Sequence, residues 1–314
     1  MKFKEVLITG GAGFIGSHLC HRLLKAKIIP VVLDNLSVGK KENVPSGCKF
    51  IKGDIQDFKL AQQVIKNVDA VFHLAANVTI RGSVDKFHED AYTNIMGTLN
   101  LLRACRVSKR VKKFIFASSM AVYADCTRPK SINEDYKKEP ISPYGIAKLA
   151  GEKYVLVACA QIGIESTVLR YFNTYGPGQT FTPYVGVITI FINRLLDNKS
   201  PVIFGDGKQR RDFVYVGDIV EATYRVLNKK TDRKIFNVGT GIDTSVNQIA
   251  KILINKINPK LKPSYTKAVA GELRNSIVDN QRLEKAIKFK PQQKLEKKID
   301  EVIDYIKKQR DKTQ

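Results

Sequence analysis

No stretch of the chain is apolar for the roughly 18 consecutive residues that a membrane-crossing helix needs, and no leader pattern precedes the first apolar strand. A soluble, cytoplasmic protein without a membrane partner is expected. Cysteine is sparse. The five residues Cys20, Cys48, Cys105, Cys126 and Cys159 are scattered, odd in number and without a Cys-x-x-Cys pair, which indicates neither a disulfide framework nor a zinc site. The four histidines (His18, His21, His73 and His88) form no metal-ligand cluster either, and His18 and His21 are expected on a helix surface, so no metal is expected. Acids are few beside bases: 30 Asp and Glu against 53 Lys and Arg, a net charge of +23. Such a charge raises nucleic-acid binding as a possibility. However, the lysines are spread along the chain, and residues 285–312 alternate basic, acidic and apolar as a solvated amphipathic helix does. No helix-turn-helix, zinc-finger or aromatic RNA-binding signature accompanies them. Nucleic acid is not expected as a partner, and the charge is read as a solubility feature that also attracts small anionic substrates.

What is present is a long alternation of apolar strands and helical stretches in 314 residues, 43% of them hydrophobic. Val6-Leu7-Ile8-Thr9 runs into Gly10-Gly11-Ala12-Gly13-Phe14-Ile15-Gly16, and a helix follows over residues 17–25. Glycines at 10, 13 and 16 permit a tight turn, close backbone approach to a pyrophosphate, and close packing of helix on strand, with the helix N-terminus facing the negative charge. A glycine loop alone is weak evidence; the strand before it and helix after it strengthen it. The next strand, Val31-Val32-Leu33, ends at Asp34, whose carboxylate suits an adenosine ribose and would repel a 2′-phosphate. NAD is favoured over NADP, although Lys40 and Lys41 lie close in sequence. As a plain alternative, Asp34-Asn35 is a turn.

A third strand is expected over residues 50–55, ending at Asp54-Ile55. A fourth, over 70–76, ends in Leu74-Ala75-Ala76, small enough at its tip for a ligand to approach the backbone. A helical stretch over 91–106 carries Asn94 and Gly97, and a fifth strand over 113–119 ends in Ser118-Ser119. Strands separated by helices read as a parallel, doubly wound α/β sheet, which binds ligands beyond the carboxyl ends of its strands. Ser119 ends its strand at the same rim as the glycine loop and Asp34. The next helix begins Ser142-Pro143-Tyr144, with Pro143 suited to its first turn. Tyr144 and Lys148 are four apart and share a helix face. A tyrosine with a pKa of about 10 is a poor base at neutral pH; a lysine ammonium one turn away favours the phenolate. An isolated Tyr-x-x-x-Lys is more often an ordinary exposed pair, and it is the neighbouring positions that lift this one.

Together, Gly10-x-x-Gly13-x-x-Gly16, Asp34, Asp54-Ile55, Ser119-x-x-Val122-Tyr123 and Tyr144-x-x-x-Lys148 resemble the extended short-chain dehydrogenase/reductase superfamily. Leu169-Arg170-Tyr171-Phe172-Asn173-Thr174-Tyr175-Gly176-Pro177, Gly205-Asp206-Gly207, Arg211-Asp212-Phe213-Val214-Tyr215 and Gly271-Glu272-Leu273-Arg274 narrow the resemblance to nucleotide-sugar enzymes, most similar to UDP-glucose (UDP-galactose) 4-epimerases. The resemblance covers about residues 5–285. It implies a Rossmann-type domain over 1–177 that also receives about 205–245, and a smaller substrate-binding lobe from 178–204 and 246–314. It implies that Gly10, Gly13, Phe14, Ile15, Gly16, Asp34, Asn35, Asp54, Ile55, Leu74, Ala75, Ala76, Asn94, Tyr144, Lys148 and Tyr171 contact NAD. It further implies that Ser119, Tyr144 and Lys148 are catalytic, and that Thr79, Ser119, Asn173, Arg211, Arg274 and Ser276 bind a UDP-sugar. Relatives pair through two helices per chain, which implies a homodimer. One departure stands out: Val269 occupies a position where family members commonly carry an arginine, leaving the diphosphate charge to Arg211 and Arg274.

The same resemblance bears on the reaction. Similar 4,6-dehydratases place an Asp-Glu pair directly after the Ser/Thr, and similar decarboxylases keep the glutamate. Here those positions are Met120 and Ala121, neither of which transfers a proton, so epimerisation at C4 is expected rather than elimination. A net nucleotide-sugar reductase and a non-catalytic NAD-binding regulator are the other readings, the latter opposed by the intact Ser119, Tyr144 and Lys148. In similar epimerases the residue five after the glycine of the Gly-Glu motif gates sugar size. Here it is Ser276, small enough to admit an N-acetyl group, or else a surface serine without substrate contact.

Overall fold

The computed structural model describes residues 3–78, 80–126, 131–181, 186–268 and 274–312. Val6, Leu7 and Ile8 have no solvent exposure, as expected of a strand covered by helices on both faces. In chain order, β1 (Glu5–Thr9), β2 (Ile29–Asp34), β3 (Lys49–Lys52), β4 (Ala70–His73) and β5 (Lys113–Ser119) lie parallel to one another. β6 (Ser131–Ile132) leaves that sheet, and β7 (Glu165–Tyr171) returns to it beside β5. After β8 (Asn173–Tyr175), β9 (Val202–Phe204) and β10 (Arg210–Tyr215), the strand β11 (Lys234–Val238) closes the far edge. The order across this seven-stranded sheet is β11-β7-β5-β4-β1-β2-β3. The chain therefore reverses direction across the sheet at β1, between β2 and β4, and such a switch point leaves a crevice beyond the strand ends.

The two faces are packed by different helices. Val6, Ile8, Val32 and Phe72 meet Leu19 and Leu23 of the Phe14–Lys25 helix, and the same cluster holds Ile219, Ala222 and Val226 of the Val216–Leu227 helix. Leu7, Leu33, Val71 and Phe114 share the opposite cluster with Leu101 of the Gly97–Val107 helix and Val155 and Cys159 of the Pro143–Gln161 helix. A smaller mixed sheet is built on β10, which pairs with β8, with β12 (Asp243–Ser245) and, past the two-stranded β13 (Ser264–Thr266)–β9 unit, with β14 (Asn275–Val278). Beside it a third core gathers Phe191 and Leu195, Ile249 and Leu253, and Ile299, Val302 and Ile306 from three helices. The last of these, Leu295–Asp311, turns its apolar stripe inward and its charges outward.

The structure differs from the sequence expectation at several points: the first helix starts at Phe14 rather than 17, and the fourth strand ends at His73, with Leu74-Ala75-Ala76 in the loop beyond it. The third strand ends at Lys52: the Gly53 amide makes the last rung to the Asp34 carbonyl, and Asp54, whose carboxylate accepts from the Gln56 amide, lies in the turn that follows. The run of residues 165–171, read only as part of a motif, is a central strand. The 91–106 helix is three pieces: Phe87–Ala91, one wide π-helical turn Tyr92–Met96, and Gly97–Val107. The Gln281–Ile287 helix packs Leu283 and Ile287 into the cluster of the main sheet, so it sits apart from the smaller core to which its place in the chain had assigned it.

Candidate active site

The glycine loop closes on itself so tightly that side chains are excluded. Gly10 has a φ of +72°, and a Cβ on Gly16 would lie 2.2 Å from the Gly10 carbonyl oxygen. The helix that starts after Gly13 has no side-chain cap and no acid in its first turn, which leaves its amide end to an anionic ligand. The Asp34 carboxylate is held at the tip of β2 by the amides of Ala12 (2.9 Å) and Leu36 (2.8 Å), and Asn35 donates to Asp54 at 2.7 Å. Lys41 is drawn away over the Phe50 ring, and neither it nor Lys40 lines the cavity. That cavity, about 1070 Å³, is lined by Gly10, Gly13, Phe14, Ile15, Gly16, Asp34, Asn35, Asp54, Ile55, Leu74, Ala75 and Ala76. Its volume lies just above the roughly 300–1,000 Å³ usual for a small-molecule site, as suits two ligands side by side. A loop that only glycine can build, an uncapped helix end and a fixed carboxylate fit the diphosphate and ribose of a dinucleotide.

The same cavity continues past Ser119, Tyr144, Lys148 and Tyr171 to Asn173 and Arg211. Ser142 caps the helix at Gly145 N, with Pro143 in its first turn, and so fixes where Tyr144 enters the cavity. Ser119 ends β5, accepting a hydrogen bond from Ala121 N at 3.2 Å, and the following turn places Met120 and Ala121 in the same wall. Lys148 is 3% exposed and donates to the Ala117 carbonyl at 2.9 Å. Burial pushes the Tyr144 phenol up to about 12, opposed by a hydrogen bond from Ser119, while burial brings Lys148 down to about 8. The lysine therefore does not depress the phenol in the protein alone. Spacing predicts only the pairing, and desolvation outweighs it.

Not every residue read from the sequence reaches the cavity. Asn94 is buried off the cavity, where it exchanges two hydrogen bonds of 2.9 Å with the Asn77 backbone and so pins the loop after β4. Arg274 is off the cavity too, its guanidinium engaged by both oxygens of Asp206 at 2.9 Å. Ser276 has no exposure. It faces Arg211 across the β10–β14 pair and meets the cavity-lining Asn173 at 3.4 Å, so it is neither a surface serine nor a wall of the pocket. Thr79 and the 269–273 segment, with Val269 and Gly271, lie outside the described residues. Tyr171 lines the cavity with its hydroxyl tied to Thr223 at 2.7 Å.

The structure also assembles arrangements that sequence reading did not anticipate. Arg194 adds a second guanidinium to the cavity wall. Thr9, His73, Thr98 and Asn94 form a buried chain. Thr98 donates to the Asn94 carbonyl, so it accepts from His73 Nε2–H, and His73 Nδ1 accepts from Thr9, whose oxygen takes the Ala75 amide. Burial drops His73 to about 3, which keeps it neutral. Behind the Tyr144 helix, Arg170 grips Glu152 in a fork of 2.8 and 2.7 Å, and Ser118 donates to the same carboxylate at 2.6 Å. Asp90, one turn before Asn94, is buried beside Tyr144 and Lys148; its i,i+4 spacing to Asn94 was visible in the sequence.

Comparisons with known proteins agree with this geometry. The UDP-glucose 4-epimerase of Thermotoga maritima, solved with UDP-glucose, superposes with a TM-score of 0.93 at 38% identity, covering 97% of this chain and 99% of that one. A UDP-N-acetylglucosamine 4-epimerase of Methanobrevibacter ruminantium, in complex with UDP-N-acetylmuramic acid, gives 0.92 at 34%, with 98% and 100% covered. A UDP-N-acetyl-alpha-D-glucosaminuronate decarboxylase of Bacillus cytotoxicus is 38% identical over 255 residues, 79% of this chain and 78% of that protein. The family model for NAD dependent epimerases and dehydratases matches residues 6–239. With its glycine loop, Asp34 and the Tyr144–Lys148 helix on one parallel sheet, the chain belongs to the NAD dependent epimerase/dehydratase family.

Proposed function

We propose that the protein interconverts UDP-glucose and UDP-galactose by inverting C4 through a 4-keto sugar. The observation that carries this reading is the wall around Tyr144: Ser119 stands beside it, while the adjoining positions are Met120 and Ala121, which cannot supply the second acid–base pair that elimination needs. Bound NAD supplies reversible hydride transfer at C4. Tyr144, as phenolate, removes the 4-OH proton, and Ser119 hydrogen-bonds that oxygen. Lys148 offers its ammonium to the nicotinamide ribose and to the phenolate. The keto sugar turns about its diphosphate link to offer the other face of C4, and as that face is reduced Tyr144 returns the proton to the C4 oxygen. Asn173 and Arg211 hold the diphosphate, with Arg194 as a second cation on the same wall. In this scheme Gly10, Gly13, Phe14, Ile15 and Gly16 hold the cofactor diphosphate, Asp34 the adenosine ribose and Tyr171 the nicotinamide end. Residues 178–204 and 246–314, apart from the Gln281–Ile287 helix, serve as the sugar-nucleotide lobe.

Incubation with UDP-glucose, UDP-galactose, their N-acetyl forms and UDP-glucuronate, followed by separation of products, tests the reading. Interconversion of the C4 epimers without added reductant is expected. Release of carbon dioxide or a 4-keto-6-deoxy product would overturn it. Stoichiometric consumption of reduced cofactor would point to a reductase.

A further inference from the structure

Asp90 is a buried carboxylate that the scheme above does not use. It is 1% exposed, on the short Phe87–Ala91 helix that packs against the Tyr144 helix. One oxygen accepts from Asn94 Nδ2 at 3.0 Å; the other, Oδ2, is buried and has no hydrogen-bond partner among the described residues. Leaving a carboxylate oxygen bare costs more than leaving a neutral group bare, so its setting calls for a compensating charge. Burial raises the pKa of the Asp90 carboxyl, and the Asn94 amide and the charge of Lys148 oppose that rise; the Lys148 ammonium has one described hydrogen bond, to the Ala117 carbonyl.

We propose that Asp90 is the buried counter-charge of the catalytic helix, a positioning residue whose free oxygen keeps the proton on Lys148 and so keeps an ammonium available to Tyr144. This inference rests on the roles given above to Tyr144 and Lys148. The surroundings supply no equal substitute. Glu152, on the lysine's own helix, also favours the charged lysine but is spent on Arg170 and Ser118. His73, from β4, is neutral, and Tyr144 is a phenol until it reacts. Burial loosens the proton of Lys148, and Asp90 is the foremost charge opposing that loss. Asn94 then serves twice, since its amide group aims Asp90 and its exchange with Asn77 fixes that aim relative to the loop after β4.

The test reads the ionisation of Lys148 directly, from the pH dependence of isotope-labelled lysine side-chain resonances, with Lys148→Arg identifying the signal. In the parent the Lys148 signal is expected to titrate near 8. In Asp90→Asn it titrates lower by about one pH unit or more, and the alkaline limb of kcat moves down with it while KM changes little. Asp90→Ser, smaller and still polar, shifts both in the same sense and serves if the asparagine variant fails to fold. An unmoved titration in a folded variant overturns the proposal, as does a uniform loss of kcat with an unshifted limb. Because the resonance needs no substrate, a parent that epimerises none of the UDP-sugars would sink the functional reading while the titration still decided the role of Asp90.

Discussion

Burial acts on Tyr144 and Lys148 in opposite senses, holding the one as a phenol and loosening the proton of the other. The active combination in the proposed scheme, phenolate beside ammonium, is therefore unfavoured in the protein alone, and the positive charge of bound NAD tips it. Two outcomes follow at this scale. Because Lys148 must keep its proton, kcat should decline as pH rises through about 8, the region where the ammonium is lost; a rate that keeps climbing well above that pH would contradict the role. Tyr144→Phe removes the hydroxyl that exchanges the proton with the sugar oxygen, so kcat should fall by roughly 10²-fold or more with NAD retained. Equilibrium NAD binding beside steady-state rates separates the two effects. Tyr144 and Lys148 were legible in the sequence because their relation is local, four residues on one helix. His73 and Arg194 were not, since what matters for them is burial and what other elements place around them, and for Asp90 only the spacing to Asn94 was legible, not its burial against the Tyr144 helix. Ser276 shows the converse: its offset within a motif was legible, yet pairing of β14 with β10 withdraws it from the pocket wall.

At the scale of the element, the Pro143–Gln161 helix is fixed from behind. Arg170 on β7 and Glu152 are each 1% exposed at the side chain, and the fork between them is completed by Ser118 at the end of β5 and by Tyr123, which accepts from Arg170 at 2.8 Å. A buried pair of this kind adds little over a well-packed apolar pair, but removing one partner strands the other charge. Glu152→Gln should cost about 3–5 kcal/mol in denaturant unfolding, with activity falling because Glu152 ties the helix of Tyr144 and Lys148 to β7 through Arg170 and to the Ser119 end of β5 through Ser118. A variant within error of the parent midpoint would show that the fork is not what holds the helix. The strand–helix alternation that announces this sheet was readable for β1 to β5, where each strand meets a glycine, an acid or small residues at its tip. β7 escaped notice because its apolar run Val168-Leu169 is flanked by Arg170, a charge that is buried only when Glu152 arrives from elsewhere in the chain.

At the scale of the molecule, the Pro143–Gln161 helix is apolar on more sides than one chain can cover. Ala147, Gly151, Val155 and Cys159 face the sheet, while Ile146, Tyr154 and Val157 stand about half exposed on its other side. Phe87, Tyr92 and Met96, from the neighbouring helical segments, are exposed as well. A helix hydrophobic around its girth belongs inside something, and a cluster of exposed aromatic and aliphatic side chains marks a contact surface. With a net charge of +23, two copies repel at long range, so only an interface of dispersive, apolar contacts would hold them. A two-fold pairing in which this helix meets its own copy buries the patch on both chains with one set of residues. The protein should therefore run as a homodimer in light scattering at micromolar concentration. Replacing Tyr154 and Val157 by Asp would place four carboxylates in the closed interface, two from each chain, and should yield a monomer whose single-chain core, turned the other way, keeps its fold. A parent already monomeric, or a double variant that stays dimeric, would move the interface to another face.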